Sequence, residues 1–186
     1  MVNRISTTKE ELDKYNWEEF FKEFQTETPR ASAVLSAAFL DSLLRDLIAS
    51  FMIENEEATN ELLGTEKGGE KPLSGFGSRI STAFCLGLIS RIEYSDLKNI
   101  KNIRNKFAHK IQGNLVDTEE VISLCDRLQT PLMFNELFKF KNESHWNKFI
   151  FAIAFLSQQI GVRILGIKSE RRIVRDDTTI GQIIKT

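Results

Sequence analysis

Arg104 and His109 stand five residues apart in the stretch IRNKFAHK, residues 103–110, and between them they carry the means to act on a phosphate. An arginine guanidinium holds phosphate oxygens through a planar fork of donors, and a histidine gains or loses its proton near neutral pH. The stretch is thus either a reactive Arg/His pair or the polar end of a packed helix. Asn105, directly after the arginine, and Asp41, on an earlier helix, are the supporting candidates. Asp41 flanks an apolar stripe, where a half-buried carboxylate needs an arginine, either Arg45 one turn away or Arg104 across the bundle.

Helix geometry constrains the pair. Five residues correspond to about 140° of rotation and about 7.5 Å of rise, so one straight helix does not aim both side chains at a small target. Two copies related by a two-fold axis would let Arg104 of one protomer complement the histidine of the other. The competing reading is structural: Arg104 pairs with Asp41 or Asp96, and His109 sits at a helix C-terminus, where a cation favours the macrodipole.

Other chemistry-bearing residues are less organised. His145 has no neighbouring histidine, cysteine or carboxylate pair at ligand spacing, so no metal site is expected, and no cofactor-binding motif is present. The glycines and lysines of GTEKGGEK lack the GK[ST] ending of a phosphate loop. Cys85 and Cys125 are isolated in apolar settings and read as small core residues. The basic run KSERRIVR places Lys168, Arg171, Arg172 and Arg175 on a contact surface for nucleic acid or an acidic partner, with Lys110 beside the Arg/His pair.

The elements that position these residues follow from periodicity. Thr7 or Thr8 caps a first amphipathic helix through EELDKYNWEEFFKEFQ. Pro29 starts a second, whose Ala33, Ala37, Leu40, Leu44, Leu47 and Phe51 make a core stripe and whose early ASAVLSAA admits a close neighbour. A polar connection over residues 54–75 holds a short helix around Ala58–Leu63. A third helix with Ile80, Phe84 and Leu88 should run to about Ile89, and Ser90 with Glu93 forms a capping box for the next. In that fourth helix, which carries Arg104 and His109, the stripe Ile92, Ile100, Ile103 and Phe107 is expected to be buried. Thr118 caps a fifth helix ending before Pro131, and SHWNKFIFAIAFLSQQIGVRILGI makes a last one, central to the bundle or to a dimer.

The whole is an all-α single bundle of about six helices. Residues 1–28 form an N-terminal helix packed on it, 29–167 the domain itself, and 168–186 a basic tail. With 25 basic and 26 acidic residues among 186, no global field attracts nucleic acid. The N-terminus has no apolar signal region, and polar residues interrupt the last helix, so a soluble, cytoplasmic protein with no membrane contact is expected.

Residues 71–109, KPLSGFGSRISTAFCLGLISRIEYSDLKNIKNIRNKFAH, resemble the signature segment of the mannitol operon repressor family of bacterial regulators. The residues that carry this are Pro72, Leu73, Arg79 and Ile80, then Leu86 to Ile89, then Glu93, Tyr94 and Asp96, and finally Arg104 and His109. The likeness extends over roughly residues 31–166. It implies a helical, non-enzymatic transcriptional regulator without a helix-turn-helix, acting through a protein partner or an unusual surface for operator DNA. RNKFAH also fits the R-x4-6-H motif of HEPN-domain proteins, which implies a homodimeric RNase or nucleotide-binding module, in some cases one half of a toxin–antitoxin pair, with RNA as its partner; the resemblance implies that Arg104 holds the scissile phosphate and His109 exchanges the 2′-hydroxyl or leaving-group proton, without a metal. A regulator is the leading reading, a HEPN-like RNase or nucleotide-binding module the alternative, and a structural partner of another protein a third.

Overall fold

The computed structural model describes residues 27–64, 71–109, 115–132 and 144–174. Helix α1, Pro29–Phe51, starts where Thr28 accepts the Ala31 amide on its hydroxyl at 3.3 Å, with Pro29 fitting the first turn as a residue that lacks an N–H. The expected stripe is buried along it, and the small residues Ser32, Ala33, Ser36 and Ala37 are buried as well. Helix α2, Glu56–Leu63, is capped by Asn55, and α3 spans Phe76–Cys85. Helix α4, Arg91–His109, starts at a reciprocal capping box, in which the Ser90 amide donates to Glu93 at 2.6 Å and the Glu93 amide to the Ser90 hydroxyl at 3.2 Å. Helix α5 covers Glu119–Asp126, and α6, His145–Ile167, begins at a Ser144 cap and ends in a 3-10 turn, Lys168–Glu170. Among the described residues there is no strand, and the all-α expectation holds. The first expected helix, within residues 1–28, lies outside the described residues, as do Lys110 and Arg175.

One helix stops earlier than its apolar period suggests. Helix α3 ends at Cys85 because Gly87 turns into the left-handed region, at φ 73°. The Gly87 amide then reaches the Phe84 carbonyl at 3.0 Å and the Leu88 amide the Ala83 carbonyl at 2.8 Å, a Schellman closure that folds Leu88 back onto the core. Leu88 thus continues the apolar pattern without continuing the helix. Cys85 is exposed at this end, contrary to its reading as a core residue, whereas Cys125 is buried, and burial pushes its thiol up to about 12.

Helices α1 and α6 form the central pair. Leu40, Leu44 and Leu47 of α1 share one core with Phe149, Ile153, Leu156 and Ile160 of α6, and Ala152, Ser157 and Gly161 keep the buried face of α6 narrow. By length and composition α6 is apolar enough to cross a membrane, and its buried residues supply the middle of this bundle. Helices α3 and α4 pack against α1, and α5 bridges α4 to α6. Leu97, Ile100 and Ile103 of α4 are fully buried, each contributing on the order of 2 kcal/mol from apolar surface removed from water. Phe107 meets Trp146 edge-on and Trp146 stacks on Phe149, which joins the end of α4 to the start of α6.

After α6 the chain is tied to the C-terminal end of α1. Arg172 donates its amide to the Phe51 carbonyl at 2.9 Å and lays its guanidinium over the Phe51 ring at 4.7 Å. Arg171 bonds the Ser50 carbonyl at 3.3 Å and pairs with Glu54 at 3.2 Å. Both arginines, read from sequence as contact residues of a tail, satisfy orphan carbonyls at a helix end. Lys168 is exposed.

Candidate functional site

Helix α4 presents two faces of different chemistry. Its buried face holds Glu93, Asp96, Leu97, Ile100, Ile103 and Phe107, so two carboxylates stand where apolar periodicity places only apolar residues, and Ile92 is merely half-buried. Each carboxylate is satisfied. Arg163 of α6 grips Glu93 with both terminal nitrogens, at 2.9 and 3.2 Å, and also reaches the Leu88 carbonyl at 3.0 Å. Asp96 accepts the Gln129 amide at 2.9 Å, the Thr130 amide at 2.8 Å and the Thr130 hydroxyl. It thereby holds the start of a helical turn at residues 130–132, with Pro131 inside that turn rather than only blocking the helix before it. Burial raises the Asp96 carboxyl above its ordinary value, and the bonds from Thr130 and Gln129 counter only part of that effect.

Asp41 takes neither partner expected from sequence. Its ion pair is with Arg79 at 2.8 Å, while Arg45 turns to the Asn60 side chain at 3.0 Å and the Gly64 carbonyl at 3.1 Å. Arg79 is buried and binds three segments at once: Asp41 on α1, the Leu63 carbonyl at the end of α2, and the Leu73 carbonyl in the following turn, the last two at 2.8 Å. Desolvation raises the Asp41 carboxyl despite Arg79, and the charge of Arg104 lowers it to a lesser degree. Arg104 thus lies within electrostatic reach of Asp41 without being its ligand.

Arg104 and His109 are both exposed. Arg104 donates to the Asn105 side chain at 3.1 Å, and His109 is the last residue of α4, beside the negative end of its dipole. Asn105 and Lys106 line a shallow groove between α4 and α5 together with Glu119 and Glu120, and Lys106 pairs with Glu120 at 2.8 Å. This groove continues toward the start of α4 through Asn102 and Arg127. His145, isolated in sequence, meets Asp126 at 2.8 Å; Lys148 also contacts Asp126 and holds its carboxyl below the usual range. Among the described residues no group of three or more metal-ligating side chains occurs.

No family model and no curated protein matches the chain. A solved structure does: the MtlR–HPr complex from Escherichia coli aligns with a TM-score of 0.60 over 78% of this chain and 98% of the MtlR chain, at 15% identity. The fold is similar to that of MtlR. MtlR is the mannitol operon repressor, and at this identity the comparison supports the resemblance read from residues 71–109 at the level of fold alone. Arg79, Glu93 and Asp96, three polar residues of the signature segment, hold the scaffold together. Sequence reasoning quoted them for their resemblance and missed this work, because their partners come from distant segments.

Proposed function

We propose that this chain is a cytoplasmic, homodimeric regulator that acts by protein contact on an MtlR-like scaffold. The observation that carries the reading is the near full-length structural match to MtlR, whose solved structure is a complex with the protein HPr. Two features support it over direct operator binding. The net charge is −1, and Arg171 and Arg172 of the basic run are engaged at the end of α1. The test is titration calorimetry with HPr from the same organism, alongside a mobility shift with the promoter region of a sugar-alcohol operon. Saturable HPr binding without a promoter shift supports the reading. A promoter shift with steep salt dependence and no HPr binding overturns it in favour of DNA.

The exposed pair on α4 favours a second reading, a HEPN-like RNase or nucleotide-binding module. Asp41 is held by Arg79, so the guanidinium of Arg104 is left for a phosphate, with Asn105 beside it and His109 about 1.4 turns on. Here RNA is the partner and the site is composite across a dimer. RNA degradation in the presence of a chelator, lost in both Arg104→Ala and His109→Ala, would establish the nuclease. RNA left intact by the dimeric protein would remove it.

A further inference from the structure

The upper part of the groove on α4 differs from the rest in charge. It is a hollow of about 640 Å³ lined by Phe84, Arg91, Tyr94, Lys98, Asn99 and Arg127 among others, and every charged residue lining it is a cation. The lower part contains Glu119 and Glu120. Among the described residues, none of Arg91, Lys98 and Arg127 has a carboxylate partner; Arg127 bonds only the Ser123 hydroxyl, at 3.1 Å. In a chain with more acidic than basic residues, three unpaired cations around one concavity constitute a local anion site.

Two further observations narrow the anion. Phe84 and Tyr94 stack with ring centroids 4.4 Å apart and planes 20° from parallel, and the Lys98 ammonium stands over the Tyr94 ring at 5.1 Å. The wall opposite α4 is fixed, because the buried Asp96 carboxylate holds the backbone amides of Gln129 and Thr130. Side-chain amides of Asn99, Asn102 and Gln129 bring paired donors and acceptors to the same hollow. Aromatic faces, cations and amides together suit an anion that carries a planar heterocycle. A partner helix, by contrast, would need a row of apolar anchors, which this lining lacks.

We infer that this hollow binds a nucleoside phosphate, either a free nucleotide or one unit of single-stranded RNA. The base takes the place of the Lys98 ammonium over Tyr94, the displaced ammonium turns to the phosphate, and Arg91 and Arg127 flank that phosphate. Neither Arg104 nor His109 lines the hollow, so the site is separate from the pair discussed above.

The experiment uses the full chain and three probes: adenosine 5′-monophosphate, a fluorescent single-stranded RNA of about ten nucleotides, and inorganic phosphate. Saturable binding of the nucleotide or the RNA is expected, weakened about tenfold or more by Lys98→Glu and by Arg127→Glu, both surface changes that leave the core intact. The two probes should compete, and a nucleotide bound at least as tightly as the RNA assigns the hollow to free nucleotides. RNA bound at least about tenfold more tightly than the nucleotide, with a log–log salt slope of about −0.7 per phosphate contacted, assigns it to a strand. Tyr94→Leu should weaken both base-bearing probes while leaving any affinity for inorganic phosphate unchanged. Three results would overturn the inference: no binding of either base-bearing probe, binding indifferent to Lys98→Glu and Arg127→Glu, or binding abolished by Arg104→Ala with His109→Ala.

Discussion

Asp41 has three arginines in its surroundings and is touched by one. Arg45 is nearest along the helix, yet its planar fork is better matched by the Asn60 side chain and the Gly64 carbonyl, which leaves Asp41 to Arg79. Because burial raises the folded-state carboxyl above its ordinary 3.8, the ionised form is less favoured in the fold than in the unfolded chain. The stability linked to this group is thus complete below pH 3.8 and is lost as pH rises through the raised value. An asparagine side chain at this position mimics the neutral acid, so the Asp41→Asn variant should gain on wild type across that acidic window. Urea midpoints of Asp41→Asn and wild type taken through the window should diverge in the variant's favour, whatever their offset at its lower end; convergence would contradict the raised value. Arg104 and His109 behave oppositely. Both are exposed, so Arg104→Ala and His109→Ala should each leave unfolding free energy within about 0.5 kcal/mol of wild type. A loss of several kcal/mol in thermal or urea unfolding would show that they are structural. The pair was legible from residue type and spacing. The role of Arg79 was not, because nothing in a linear chain tells that residues 41, 63 and 73 converge on it.

Helix starts announce themselves locally, and helix ends less so. Thr28, Asn55, Ser90 and Ser144 each accept a first-turn backbone amide on the side chain, whereas Thr118, at the cap position of α5, makes no such bond. The end of α3 escapes periodicity because Leu88 keeps the period after the backbone has left the helix. Gly87 decides that end. A Cβ there would meet nothing within 4 Å, so the cost of Gly87→Ala is conformational, about 1–2 kcal/mol from the left-handed backbone. Chemical denaturation should show this loss, and Gly87→Asn should show a smaller one, since asparagine tolerates that region better. An unchanged Gly87→Ala would mean that the turn is not the stop. The buried face of α4 reads as wholly apolar in sequence for a related reason. Periodicity counts apolar residues, and the partners that let Glu93 and Asp96 enter the interior, Arg163 and the 129–130 backbone, lie 70 and 34 residues away.

At the scale of the whole molecule, polar staples join segments that apolar packing alone would leave free to slide. Arg79 fastens α1, the end of α2 and the turn before α3, and Arg163 fastens α6 to the α3–α4 junction. Lysine at position 79 keeps the charge but cannot reproduce a three-way fork, so Arg79→Lys should lower stability by about 2–4 kcal/mol without shifting helix content. Circular dichroism with urea titration measures both, and a loss below about 0.5 kcal/mol would deny the staple its role. The clasp of Arg171 and Arg172 on Ser50 and Phe51 closes contacts across 121 residues. Its consequence belongs to biosynthesis. At ribosomal speeds of about 5–20 residues per second, α1 leaves the peptidyl-transferase centre on the order of ten seconds before the residues that finish its C-terminal end and the helix that covers its stripe are made. Until α6 is made, the face of α1 that it covers has no partner from this chain, so changes along that stripe act on chaperone demand during translation as well as on the stability of the finished fold.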